Sequence, residues 1–110
     1  MISEYIPQVV QVLAGKEYQV YAWFDDGSVH LYDMSPLLKP GTVFEPLLDK
    51  VLFRKSLTVM NDTLAFDLTG NRDPYDVIDI APEEIYSAKA VKDPLEGIAW
   101  SKINFSSRQN

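Results

Sequence analysis

The sequence predicts an α+β fold, a small antiparallel β-sheet that opens as a hairpin or meander and is flanked by short helices. Three observations carry this. Residues 7–33 hold two stretches rich in Val, Tyr, Trp and Phe separated by "DDG", which is the pattern of a β-hairpin. "TVFEPLLDKVLF" repeats apolar residues at helical spacing. "APEEIYSAKA" opens with a proline and two acidic residues, the composition of a helix start.

Taken in order, "PQVVQVLA", ended by Gly15-Lys16, reads as a strand that makes the start a meander. The connection Asp25-Asp26-Gly27 suits a type I turn closed by a G1 bulge, with Gly27 at the position that needs positive φ. In "DMSPLL", Ser35 is a candidate N-cap and Pro36 fits the first helical position; Pro40 and Gly41 end the turn. Phe44, Leu47, Leu48, Val51 and Leu52 then form one apolar helical face, with Pro46 awkward inside it and the start of the helix at Pro46 as the alternative. "SLTVMNDTLAFD" is a second hairpin around Asn61-Asp62, with Leu57 and Val59 facing Leu64 and Phe66. "VIDI" is a short strand, and the last helix runs through "APEEIYSAKA".

A length of 110 residues with 46% apolar content supports one buried core and not two. The expected organisation is a single α+β domain over residues 1–90 and a C-terminal extension over 91–110, an added strand or a mobile tail. Ile98, Trp100, Ile103 and Phe105 alternate in that extension, as an edge strand would. Sixteen acidic against ten basic residues give a net charge of -6, which disfavours direct nucleic-acid binding and favours a basic protein partner. The chain has no cysteine, so disulfides, thiolate metal sites and a cysteine nucleophile are excluded. "MISEYIPQVV" lacks the basic and apolar regions of a signal peptide, and no apolar run approaches the roughly 20 residues of a membrane span. A cytoplasmic protein without membrane association is the expectation.

Enzymatic motifs are sparse. A single histidine rules out a histidine metal cluster, and no GxSxG, Walker or dinucleotide fingerprint occurs. His30 as an acid–base group needs convergent partners; alternation makes it an ordinary, half-exposed strand residue. "LTGNRDPYDVIDI" and the residue before it gather Asp67, Asp73, Asp76 and Asp79. An EF-hand loop counted from Asn71 needs glycine at the sixth position and glutamate at the twelfth, but Asp76 and Pro82 stand there. These carboxylates are therefore expected to cap turns, with a loose cation or small-ligand site as the alternative. No metal and no cofactor is assigned.

The first hairpin offers the stronger candidate. If Tyr18, Val20, Ala22 and Phe24 face the core with Val29 and Leu31, then Tyr21 and Trp23 share the other face with His30 and Tyr32. Large amphipathic rings beside polar groups suit a protein interface, and Trp100 extends the set.

Three blocks, "YAWFDDGSVHLYDMSPLL", "GTVFEPLLDKVLFRK" and "DTLAFDLTGNRDPYDVIDIAPEEIY", resemble in order and spacing the small bacterial family called domain of unknown function 2442. The resemblance runs from about Pro7 to Tyr86. It implies an α+β fold with a small antiparallel sheet, and a similarity to the antitoxin-like halves of toxin–antitoxin pairs encoded beside a small partner. It supplies no catalytic residues. The functional expectation is thus a non-enzymatic, antitoxin-like module that binds a small toxin-like protein stoichiometrically, itself a homo-oligomer.

Overall fold

The computed structural model describes residues 5–96. Its organising turn is Asp25-Asp26-Gly27. The Gly27 amide donates to Phe24 O at 2.9 Å, the Phe24 amide donates to Ser28 O at 2.9 Å, and Gly27 has φ 90°. This is the expected type I turn with a G1 bulge. It joins β2 (Gln19–Phe24) to β3 (Val29–Asp33). β1 (Val9–Ala14) pairs antiparallel with β2, completing the expected meander, and its register slips between Val9 and Gln11. Val10 is the extra residue of that bulge and points to solvent.

The three-residue loop sets which side chains share a face. Val20 opposes Tyr32, Ala22 opposes His30, Tyr21 opposes Leu31 and Trp23 opposes Val29. Directly opposed residues lie on the same side of a sheet. His30 and Tyr32 therefore join Val20, Ala22 and Phe24 on the core side, while Val29 and Leu31 join Tyr21 and Trp23. The expected assignment of β3 is reversed, because a loop of odd length pairs even-numbered positions with even-numbered positions.

Between the hairpins the chain is less helical than its apolar spacing predicts. Ser35–Leu37 forms one 3-10 turn, and Asp33, not Ser35, supplies the carboxylate that accepts the Ser35 amide, at 2.9 Å. The single helix expected across 42–53 divides in two: a 3-10 turn over Glu45–Leu48, then α1 (Lys50–Ser56). Asp49 breaks it. Its backbone is extended and its Oδ1 accepts the amides of Val51 at 3.0 Å and Leu52 at 3.2 Å, an N-cap that starts a new helix. The rotation buries Leu47 and Phe53 and leaves Val51 74% exposed.

The second hairpin, β4 (Leu57–Met60) and β5 (Thr63–Phe66), has the expected register, Leu57 against Phe66 and Val59 against Leu64. Asn61 and Asp62 turn it with φ of 58° and 61°, the positive pair of a type I′ turn. β6 (Ile78–Asp79) flanks β5 on its other side, so β5 is the middle strand and is buried along its length. α2 (Pro82–Tyr86) begins with proline as expected but ends at Tyr86. Lys89–Val91 instead forms β7, paired with β3. Ala88, Lys89 and Ala90 suit a helix, yet the open edge of β3 takes them, an override of local propensity by strand pairing.

The result is two sheets, ordered β1-β2-β3-β7 and β4-β5-β6. One core joins them: Val20, Phe24, Met34, Phe53, Phe66 and Ile85 are among its buried members. Phe53 of α1 stacks 5.0 Å from Phe66 of β5 and meets the Tyr18 ring edge-on at 5.3 Å. β7 straddles the expected boundary between residues 90 and 91. The rest of the extension from residue 97, including Ile98, Trp100, Ile103 and Phe105, lies outside the described residues.

Two substitutions rank these interactions. Phe53→Ala, which removes a ring shared by both aromatic contacts, is expected to cost about 3–5 kcal/mol of unfolding free energy. Asp49→Ala loses the cap alone and is expected to cost about 1 kcal/mol. Urea denaturation measures both, and an Asp49→Ala cost equal to that of Phe53→Ala contradicts this ranking.

Candidate functional site

The outer face of the first sheet carries Leu13, Tyr21, Trp23, Val29, Leu31 and Val91, drawn from all four strands through direct pairings. Leu13 is 38% exposed, Tyr21, Trp23 and Leu31 are half-buried, and only Val29 is covered. The Tyr21 and Trp23 rings lie 6.5 Å apart at 49°. Trp23 Nε1 donates to Asp93 Oδ2 at 3.1 Å, which fixes the indole against the segment after β7. Of the five residues expected at a partner surface, Tyr21 and Trp23 come together here. His30 and Tyr32 sit on the opposite side, and Trp100 lies outside the described residues. Leu13 and Leu31 were not anticipated; the loop-set register is the signal that finds Leu31, while Leu13 follows from the pairing of β1 with β2.

His30 is 5% exposed and enclosed, not the half-exposed residue that alternation suggested. The ring meets Phe24 edge-on at 5.2 Å and Tyr86 at 4.7 Å. Its Nδ1 lies 3.0 Å from Ala88 O and its Nε2 3.0 Å from Ser28 Oγ. Ser28 Oγ and the Ser28 amide both reach Asp26 Oδ1, at 2.6 and 2.9 Å, and the Tyr86 hydroxyl donates to Asp26 Oδ2 at 2.7 Å. Hydrogen bonds from the Ser28 hydroxyl and amide, then from Tyr86, hold the Asp26 carboxyl below its ordinary value. The same Asp26 contact pushes the Tyr86 phenol up. On the core side Tyr32 donates to Glu84; burial first and that carboxylate second raise its phenol well above the usual range. Ser28, Asp26 and Tyr86 were missed from sequence, although "DDGSVH" places Ser28 just before the strand that holds His30 and two residues from it, the spacing that puts both on one side.

The acidic loop turns its side chains on itself. Asp73 Oδ1 accepts the Tyr75 amide at 3.0 Å, Asn71 Oδ1 accepts the Asp73 amide at 3.0 Å, and Asn71 Nδ2 donates to Asp76 Oδ2 at 2.9 Å. Asn61 Nδ2 donates to Asp79 Oδ2 at 2.9 Å and to Pro74 O at 3.1 Å, tying the loop to the second hairpin. Each carboxylate faces a different donor, and the four do not converge; no group of three or more His, Cys, Asp or Glu side chains arranged for a metal occurs among the described residues.

Asp67 stands apart. Its side chain is 4% exposed, its Oδ2 accepts the Arg72 amide at 3.1 Å, and the Arg72 guanidinium lies 3.9 Å away. Arg72 holds φ 58° and also donates from Nη1 to Thr58 Oγ1 at 3.0 Å, so the chain turns back over β4. Asp67 Oδ1 is buried with no hydrogen-bond donor. The residue lines a cavity of about 190 Å³ with Leu52, Lys55, Ser56, Thr69 and Gly70.

With this geometry the chain is an α+β protein of two small antiparallel sheets on one core. No protein-family model, curated protein or solved structure matches it. The resemblance drawn from its three sequence blocks therefore stands on those residues alone. Among the described residues no helix is long and apolar enough to cross a membrane.

The Asp26 contacts have a definite pH sign. A carboxyl held below its ordinary value of 3.8 stabilises the fold above that value, and the stabilisation is lost as pH falls through the lowered one. Asp26→Asn is expected to show a shallower loss of stability than wild type between about pH 5 and pH 2, read from urea midpoints.

Proposed function

We propose that this chain is a non-enzymatic protein-binding module, an antitoxin-like partner that neutralises a small basic protein by stoichiometric binding in the cytoplasm. The observation that carries the reading is the outer sheet face, where Tyr21 and Trp23 stand half-exposed among Leu13 and Leu31. The core side of the same strands buries Val20, Ala22, Phe24 and His30, so among the described residues the outer rings are not part of the core. Aromatic anchors flanked by aliphatic side chains are the composition of interface hot spots. The net charge of -6 supports a basic occupant, since complementary charge speeds encounter while buried rings slow dissociation. Compared with the sequence-based set, Tyr21 and Trp23 remain contacts, Leu13 and Leu31 are added, and His30 and Tyr32 are withdrawn because they face the core.

The test is co-expression with the product of the neighbouring gene, then size-exclusion chromatography and titration calorimetry. Tyr21→Ala is expected to weaken the complex by about 2 kcal/mol, near 30-fold, with the fold intact by circular dichroism. Absence of a complex, together with unchanged toxicity of that gene's product, contradicts the proposal.

A second reading rests on Asp67. A buried carboxylate oxygen without a donor, in a residue lining a cavity, suits a small cation or hydrogen-bond-donating ligand. A rise in thermal midpoint with Ca²⁺ or Mn²⁺ that Asp67→Asn abolishes and Asp73→Ala preserves favours this reading. No shift with either ion removes its cation form.

A further inference from the structure

The contacts around His30 contain more acceptors than a neutral imidazole can serve. Ala88 O accepts only, so the Nδ1 beside it, 3.0 Å away, carries a proton and donates. Ser28 Oγ has one proton; Asp26 Oδ1 lies at 2.6 Å and His30 Nε2 at 3.0 Å, with the Tyr86 hydroxyl, which gives its own proton to Asp26 Oδ2, also within reach. An ionised carboxylate supplies no proton, so the shorter contact takes the one on Ser28. The Nε2 contact then needs a proton of its own, which only the imidazolium has. When the ring is neutral, one hydroxyl proton has to choose between two acceptors, and one of the two contacts is lost.

We propose that His30, Ser28 and Asp26 form a proton-gated latch between the Asp25–Gly27 turn and the backbone at Ala88, where α2 passes into β7. With His30 doubly protonated the chain of contacts is complete from Ala88 O through the ring and Ser28 to Asp26. With His30 neutral it opens at Ser28.

The placement gives the latch a structural consequence. Ala88 immediately precedes β7, whose pairing with β3 carries the chain to Asp93 and its contact with Trp23. Asp26 also receives the Tyr86 hydroxyl, so the turn is held to the last residue of α2 by a second contact that involves no imidazole. The latch therefore adjusts how firmly the α2–β7 segment is held without being its sole tether. The ionisable groups about the ring are Asp26 from the turn, Tyr86 and Glu84 from α2, Tyr32 from its own strand, and Tyr5, which packs on Tyr86 and donates to Asp25. β2 and β7 set Ala22 and Ala90 opposite it. Of these groups the carboxylates are charged and the phenols neutral between pH 5 and 8. His30 is the chain's single histidine.

The experiment compares wild type with Ser28→Ala by urea denaturation at pH 5.5 and pH 8. The wild type is expected to hold its larger stability advantage at pH 5.5, with the ratio of the two unfolding constants changing roughly three- to tenfold across the interval. An equal pH dependence in the two proteins, or a larger advantage at pH 8, overturns the latch. Nitrogen NMR of the imidazole in wild type is independent of any variant's folding. The Nδ1–H tautomer at high pH and a titration midpoint shifted by Asp26→Asn support the proposal; an Nε2–H tautomer at high pH, or a midpoint indifferent to Asp26, overturns it.

Discussion

The bulged turn at Asp25-Asp26-Gly27 settles the register of the first hairpin, and that register decides which side chains reach the core and which reach the surface. Because Phe24 and Ser28 close the loop through the Phe24 amide, the strands above it pair Ala22 with His30 and Val20 with Tyr32. That single parity sends His30 and Tyr32 inward against α2 and turns Val29 and Leu31 outward beside Trp23 and Tyr21. A loop one residue shorter or longer exchanges the two faces of β3 while leaving its sequence untouched. The core then closes around Phe24, and the outer face keeps an apolar surface that the described residues only partly cover.

A second constraint runs through β5. As the middle strand of its sheet it is buried from Thr63 to Phe66, and the residues after it have to satisfy their polar groups inside the protein. The Asp67 amide donates to Ser56 O at 2.9 Å, the Asp67 carboxylate holds the Arg72 amide, and Thr63 donates from Oγ1 to Ile80 O. The acidic loop is the outcome of that requirement. Asn71, Asp73, Asp76 and Asp79 bond to neighbouring amides and side-chain amides, so the loop reads as turn-making in which charge is incidental. Tyr75, at its tip, is 96% exposed and takes no part in this packing.

His30 illustrates how burial changes the chemistry of an unremarkable sequence feature. On a solvated strand it has no assigned partners. Enclosed by Phe24 and Tyr86, its two nitrogens meet a carbonyl and a hydroxyl, and a buried ring cannot substitute water for either. The partners come from three separate places in the chain: the turn, the end of α2 and the residue before β7.

Local sequence was enough for the α+β class, both hairpins, the G1-bulge turn, the position of the Asn61-Asp62 turn, and the proline-led start of α2. Each of these depends on a few adjacent residues whose backbone preferences act locally: Gly27 at positive φ, Asn61-Asp62 in a two-residue turn, Pro82 at a first helical position. Two further outcomes are local but follow from exact spacing: the three-residue loop sends His30 to the core side of β3, and Asp49 caps the amides of Val51 and Leu52 and so divides a helical apolar pattern. That residues 89–91 become a strand turns on contacts between segments far apart in sequence. The open edge of β3 overrides the helix propensity of Ala88 to Ala90, and the same fold brings Ser28, His30 and Ala88 within hydrogen-bonding distance.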